Sequence, residues 1–305
     1  IIVLIILIFI YSYIKIRTAN TKILKQSEII EEKNADLKHA NWEIAGKNKS
    51  ITDSINYALR IQQSFLTSEK LLSHCLTDYF ILFKPRDIVS GDFYWAFELP
   101  DRTLIACADS TGHGIPGAFM SLIGISLLNE ISHSKEIIEP GKMLDELRRI
   151  IICALNPEGI ESGGKDGMDI SLLSIFKSDT DEVRIHFSGA NNATYHVSVH
   201  SGVKDLIEFK GDKQPVGYYS AMKPFSQKEI TVMKGDIIYL FTDGFADQFG
   251  GPKGKKFMSK QLKRKLYSIY NLPLKEQKQL LEQTFQDWKG ELDQVDDITV
   301  IGIKI

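Results

Sequence analysis

Cysteine is scarce in this sequence. Its 305 residues include only Cys75, Cys107 and Cys153, an odd number with no CxxC pair. That excludes a disulfide framework and argues against a cysteine zinc site. Each thiol reads as a small buried hydrophobe in a reducing compartment. Charge of one sign is lacking too: 37 Lys and Arg stand against 39 Asp and Glu, for a net charge of −2. Nothing in that balance points to nucleic acid or to general affinity for anionic surfaces, and no nucleic-acid partner is expected. There is no internal repeat and no low-complexity segment. What is there is ordinary globular composition, 43% hydrophobic and 25% charged, enough for one large domain or two smaller ones.

The first residues, Ile1 to Ile14, are almost wholly apolar. Fourteen is short of the roughly 20 residues a membrane span needs. No small-residue cleavage site follows, which argues against a signal peptide. The reading is therefore the end of a transmembrane helix over residues 1–16, with Tyr11 and Tyr13 at the interface. Lys15, Arg17, Lys22 and Lys25 follow, and by the positive-inside rule they put the rest of the chain in the cytoplasm, anchored to the cytoplasmic membrane. The start of an ordinary core helix is the alternative.

Residues 17–70 read as a helical linker. From Asn20 to about Leu66 there is no proline and one glycine, Gly46. Apolar residues recur every seven: Ile23, Ile30, Leu37, Ile44, Ile51, Ala58 and Phe65. Placing these at heptad position d puts Ser27, Asn34, Asn41 and Asn48 at a. Buried Asn at a favours a parallel, in-register dimer and costs stability. The expectation is a weak, switchable coiled coil, with a solvated linker helix as the plainer alternative.

From Leu76 the pattern changes to short apolar runs bounded by turn residues, read as strands over 79–83, 104–108, 168–176, 183–188, 193–199, 206–210, 230–232, 236–241 and 298–305. Helices are expected at 117–132 and 141–155, opened by Pro116 and Pro140, and at 258–270 and 274–289. The strands at 183–210 read as an antiparallel run, and those around Lys234-Gly235 as a pair. Hairpin-length connections dominate, so the expected class is α+β: antiparallel sheets with helices outside.

Four acidic stations punctuate these runs. Asp92 ends Ser90-Gly91-Asp92, and Asp109 lies seventeen residues later at the end of an apolar run, before Gly112-His113-Gly114. Asp243 follows in Thr242-Asp243-Gly244, and Asp296-Asp297 precede Ile298. Each sits at one end of a strand-like run, and the first two runs could be neighbours. One Asp-Gly alone is a common turn; the set in order makes a cage for hard divalent cations. Oxygen-only ligands select magnesium or manganese over zinc. Two such ions could share a water, lower its pKa and present it in line to phosphorus. The glycines let the backbone turn closely around them.

These four motifs together resemble the metal-dependent serine/threonine phosphatases of type 2C, and more closely their bacterial SpoIIE-like branch. The resemblance covers about Leu76 to Ile305, within a domain taken as residues 71–305. It implies a four-layer α-β-β-α sandwich of two antiparallel sheets, with two manganese or magnesium ions at one end. It makes Asp92, Asp109, Asp243 and Asp296 the catalytic metal-holding residues. The Ser110 carbonyl would stand where the family uses a backbone oxygen. In the family the first acid of the last motif takes the metal, which ranks Asp296 above the other candidate ligand, Asp297, as a residue that caps or orients. One departure is that the eukaryotic enzymes carry a His where Thr111 stands. His113, four residues after Asp109, is thereby a weak candidate proton donor. Lys84 and Arg86 are candidate phosphate holders, and Asp169 could face the site. The resemblance further implies hydrolysis of phosphoserine or phosphothreonine on a cytoplasmic regulatory protein, by analogy an anti-sigma-factor antagonist. Control through a linker helix such as Ile51–Gln62, in a parallel homodimer, is implied as well. The alternative is a catalytically silent module that only binds a phosphorylated partner.

Overall fold

A computed structural model describes residues 1–134, 138–155, 166–199 and 206–305. Most of the loop expected at 156–167 lies outside the described residues. Two compact units are present, Ile1–Ser54 and Ile55–Ile305.

The first unit is helical throughout. It forms most of α1 (Ile2–Phe65), and every residue of it is exposed. By length and composition this helix could cross a membrane. The heptad residues Ile23, Ile30, Leu37 and Ile44 all face solvent in the single chain.

The second unit begins with the last turns of α1. In chain order it adds α2 (Glu69–Cys75), β1 (Asp78–Lys84), β2 (Phe93–Glu98), β3 (Arg102–Ser110), α3 (Gly114–His133) and α4 (Pro140–Leu155). Next come β4 (Gly167–Phe176), β5 (Glu182–Ala190), β6 (Thr194–Val197), β7 (Leu206–Phe209), β8 (Val216–Gly217), β9 (Lys228–Met233) and β10 (Ile237–Phe241). The chain ends with α5 (Gly244–Asp247), β11 (Phe249–Gly250), β12 (Lys255–Lys256), α6 (Ser259–Ile269), α7 (Leu274–Lys289) and β13 (Ile298–Lys304).

Two antiparallel sheets form. One has the order β1-β13-β10-β6-β7 and the other β2-β3-β4-β5-β9, with β8 paired to the start of β4; β11 and β12 form a separate hairpin. Three apolar clusters make this a four-layer sandwich. Phe93, Leu104, Leu128 and Leu144 join the second sheet to α3 and α4. Tyr239, Val300, Leu266 and Leu281 join the first sheet to α6 and α7. Ile105, Leu173, Ile185, Ile238 and Ile301 fill the space between the sheets. Strands covered on both faces need unbroken apolar runs. β3 shows this, with every residue buried except Asp109. Each fully buried Leu or Ile adds about 1.5–3 kcal/mol, so the sandwich is a rigid frame for whatever projects from its ends.

Several expectations are corrected. β9 and β10 are not a pair: β9 pairs with β5, and β10 with β13 and β6. Ile230, Val232, Ile238 and Leu240 all point into the central layer. The two strands therefore face each other across the sandwich, and Lys234-Gly235 carries the chain from sheet to sheet. The run at 183–210 divides likewise, with β5 in one sheet and β6 and β7 in the other. α3 starts at Gly114, two residues before Pro116. A proline lacking N–H is harmless in a first turn, where that donor has no intrahelical partner. The strand-like run that follows Asp92 is β2, and it does neighbour β3; α2 had no sequence counterpart.

Candidate active site

The sheet register brings the acidic stations to one end of the sandwich. Phe93 pairs with Ala108, so Asp92 at the start of β2 lies beside Asp109 near the end of β3. Asp109 is directly opposite Asp169 on β4. In the other sheet Phe241 pairs with Val300, which sets Asp243, just after β10, beside Asp296 and Asp297, just before β13. Antiparallel pairing does this by itself, because the end of one strand adjoins the start of its neighbour.

A cavity of about 240 Å³ opens there, lined by Asp109, Ser110, Thr111, Gly112, His113, Asp169 and Asp296. Asp92 lies beneath, 1% exposed. Its Oδ2 accepts from Thr242 Oγ1 at 2.6 Å and Thr299 Oγ1 at 2.8 Å. Asp243 caps α5 by position, yet its carboxylate makes no capping hydrogen bond. Asp296 Oδ1 accepts the Asp297 N–H at 2.9 Å. Asp297 is used differently: its two oxygens accept from Arg86 N and Gly91 N, both at 2.7 Å. It staples the 86–91 loop that delivers Asp92.

That loop is held from a third side. Gln62, 2% exposed in the last turn of α1, accepts from Ser90 N at 3.1 Å and donates to Ser90 O at 2.6 Å and Ser121 Oγ at 2.8 Å. Gly91 must be glycine for this packing, since a Cβ would stand 2.6 Å from the Gly112 carbonyl oxygen. Gly244 is tighter still, with a Cβ 1.9 Å from the Asp297 carbonyl oxygen.

The electrostatics are those of crowded carboxylates. Burial raises the Asp109 pKa to about 9, and Asp92, Asp243, Asp296 and Asp169 push it the same way. Asp243 is pushed up to about 6 by burial, Asp247, Asp296 and Asp169, against the pull of Lys256. Asp243 is nevertheless exposed at the rim of the site, so solvent screens this shift. Burial also raises Asp92, where the two threonine hydroxyls oppose it. Burial raises Asp296, opposed by the Asp297 N–H and the charges of Arg86 and His113. Burial raises Asp169 against one hydrogen bond from Asn191.

No three His, Cys, Asp or Glu side chains among the described residues stand arranged to hold one ion. The donor chemistry still suits a hard divalent cation. The donors are carboxylate oxygens, no Lys or Arg lines the cavity, and Ser110 Oγ is buried without a hydrogen-bond partner. A cation would reverse the mutual repulsion that opposes ionisation.

The other candidates fall at the margin. His113 Nδ1 pairs with Asp87 Oδ2 at 2.9 Å at the mouth. Thr111 exchanges hydrogen bonds with Gly167 and ties β3 to β4. Arg86 Nη1 donates to the Val295 carbonyl at 2.9 Å, so its guanidinium helps fix the loop before Asp296. The Lys84 carbonyl accepts from Gln294. The residues that sequence reasoning passed over are Thr242, Thr299 and Gln62. Thr242 directly precedes Asp243 and Thr299 lies two residues after Asp297, and this closeness to strand-end aspartates was the available signal.

Comparison with known proteins agrees with this geometry. The family described as Stage II sporulation protein E (SpoIIE) matches residues 100–305. The phosphoserine phosphatase RsbU of Bacillus subtilis is 26% identical over 206 residues, which are 67% of this chain and 56% of RsbU. The chain thus spans little more than half of that relative. The SiaA-PP2C domain of Pseudomonas aeruginosa superposes with a TM-score of 0.75 at 30% identity, over 85% of this chain and 98% of that domain. The PP2C phosphatase domain of SpoIIE from Bacillus subtilis, with a fragment of its regulatory domain, shares the fold. Its TM-score is 0.58 at 18% identity, over 75% of this chain and 63% of that one.

Proposed function

The chain belongs to the SpoIIE family, and from that premise we propose that it is a metal-dependent protein serine/threonine phosphatase. The observation that carries the proposal is the gathering of Asp109, Asp169, Asp243 and Asp296 above buried Asp92, at one end of the sandwich. Asp92, Asp109, Asp243 and Asp296 would hold two manganese or magnesium ions, with the Ser110 carbonyl as a further oxygen. Such ions supply Lewis acidity that activates water and neutralises phosphoryl oxygens.

The chain's own residues prepare the place. Thr242 and Thr299 fix the Asp92 carboxylate, and Asp297 holds its loop. Gly91 lets its loop pack directly on the Gly112 carbonyl, and Gly112 takes φ 86° at the mouth. The substrate class is phosphoserine or phosphothreonine on a regulatory protein, in line with the name of the relative RsbU. An anti-sigma-factor antagonist would fit. Residues 71–305 are the catalytic domain in this reading. Residues 1–16 belong to a membrane span, and residues 17–70 form a parallel dimeric linker that sets activity from the cytoplasmic side of the membrane. The contact of Gln62 with Ser90 supports such coupling.

The test is phosphate release by the full chain from a phosphoserine/phosphothreonine peptide and from an aryl phosphate. Manganese, magnesium and chelator are compared, beside Asp92→Asn and Asp243→Asn. Release that needs the cation and is abolished by both substitutions is expected. Release indifferent to chelator would overturn the metal assignment. Calorimetry showing no specific metal binding, together with no turnover, would leave the silent binding module.

A further inference from the structure

A second electrostatic feature adjoins the acidic mouth. From Gln248 to Leu274 the sequence has no Asp or Glu, while residues 253–265 hold seven Lys and Arg. In a chain whose basic and acidic residues nearly balance, this is a local reversal. Two of the seven are engaged: Lys256 Nζ lies 2.7 Å from Asp247 Oδ2, and Lys263 Nζ lies 2.6 Å from Glu208 Oε2. The other five are Lys253, Lys255, Lys260, Arg264 and Lys265, and none has an ion pair among the described residues.

A run of lysines is often only a solvated face, but this one works against its own helix. α6 buries Leu262, Leu266 and Ile269, and its Lys260 and Arg264 are exposed, while Lys263 turns to Glu208. It has no acid in its first turn and places Lys260 there, at the positive end of the helix dipole. Lys260 and Arg264 are like charges four residues apart on the exposed face. Just before α6, Met258 takes φ 72°, a left-handed backbone that a side chain disfavours, and is 56% exposed. The Met258 N–H donates to the Ala246 carbonyl at 2.7 Å and holds it there.

The segment is also fastened to the site. Asp243 caps α5, and the β11–β12 hairpin follows directly. Phe257 packs on Phe245 of α5 with ring centroids 5.2 Å apart. Lys256 pairs with Asp247 at the end of α5, so the basic surface begins at the short helix that Asp243 caps. Screening limits electrostatic guidance to about 8 Å at physiological salt, so adjacency matters. Cations held by the carboxylates would draw the phosphoryl group itself, while acidic residues flanking it need a positive surface beside the mouth to meet them.

We infer that the β11–β12 hairpin and the outward face of α6 are the docking surface for an acidic region of the phosphoprotein substrate, beside its phosphorylated residue. This rests on the phosphatase reading. Lys253, Lys255, Lys260, Arg264 and Lys265 are docking residues; they do not touch the reacting atoms.

The experiment uses the full chain in a zwitterionic detergent with manganese. Two phosphoserine peptides of equal length are compared, one with Asp and Glu flanks, the other with Asn and Gln flanks. An aryl phosphate, which has no flanks, reports the chemistry. The protein is compared with the triple variant Lys253→Glu, Lys260→Glu, Arg264→Glu, its fold checked by circular dichroism. The quantity read is the ratio of kcat/KM for the two peptides within each protein, which a general loss of activity does not move. At low salt the ratio is expected to favour the acidic peptide by about tenfold, to shrink in high salt, and to vanish or reverse in the variant. A ratio near one in the unaltered protein, or one the variant leaves alone, overturns the inference. If neither peptide nor aryl phosphate is turned over, the phosphatase reading fails and docking is read separately. Fluorescence anisotropy of the unphosphorylated acidic peptide should then show binding that the variant loses, and equal binding to both proteins refutes the surface. Charge-dependent binding to phosphatidylserine micelles, with none to the peptide, would make this a lipid-facing surface and also refute it.

Discussion

Two threonine hydroxyls converge on one oxygen of Asp92 in a place where water does not reach. Their removal leaves a buried carboxylate with fewer donors and freer orientation. Thr242→Val and Thr299→Val keep shape and lose only the hydroxyl. Each is expected to lower activity or metal affinity by about 10–100-fold, as for other residues that orient a metal ligand, measured as kcat/KM against cation concentration. A second buried carboxylate, Asp236, is set oppositely to the site. Burial raises its pKa, but the Met233 N–H, His196 and the Val199 N–H more than offset this, and the net shift is downward. A depressed carboxylate stabilises the fold above its unfolded value of about 3.9 and loses that contribution as pH falls through the folded value. Melting temperature should therefore drop in this acid range, and Asp236→Asn should flatten that part of the profile. Asp109 has the reverse sign. With its pKa raised to about 9, the cation-free fold binds more protons than the unfolded chain, so stability falls as pH rises towards 9. Chelated protein should melt lower at pH 9 than at pH 6. Manganese at 100 times its Kd should restore about 2.7 kcal/mol by mass action, seen as a higher melting temperature. Asp92, Asp109 and Asp243 were legible because each lies by a glycine turn at one end of an apolar run, and Asp296 because it directly precedes such a run. Their hydroxyl partners were not, because a threonine in a strand reads as an ordinary β-branched residue.

The β10–β13 pair and the β2–β3 pair supply the site's two halves, and a few tight approaches join elements to it. α5 packs so closely on the start of β13 that Gly244 has no room for a methyl group. Gly244→Ala should cost about 1–3 kcal/mol by overpacking, measured by denaturant melts, and should lower activity by moving Asp243 and Asp296 apart. The last turn of α1 reaches the Ser90-Gly91-Asp92 loop through one side chain, Gln62. Gln62→Ala leaves the buried Ser90 N–H unpaired, at about 1–3 kcal/mol, while the Ser90 carbonyl keeps Ser121 Oγ as a donor. The effect of this substitution on turnover should exceed that of an exposed change such as Gln63→Ala. Most strands could be located from apolar runs alone. Their partners could not: the short Lys234-Gly235 connection suits a hairpin, and only the inward direction of Ile230 and Ile238 puts β9 and β10 in different sheets.

At the scale of the whole molecule, two units carry different information. The helical unit Ile1–Ser54 buries none of its apolar heptad residues within one chain. Ile30→Asp and Leu37→Asp together should shift the full chain from dimer to monomer in sedimentation and change its phosphatase rate; unchanged values in both would remove the case for a coiled-coil switch. The sequence by itself determined the composition class, the helical start, the α+β character and the four acidic stations with their order, because these follow from local periodicity, turn chemistry and spacing. Only the tertiary structure decided which strands pair in which sheet, that Asp297 spends both oxygens on the loop before Asp92, and that the basic hairpin is fastened to the helix capped by Asp243. Those facts depend on contacts between residues far apart in the chain, chosen by burial of side chains across the sandwich, and no local pattern encodes them.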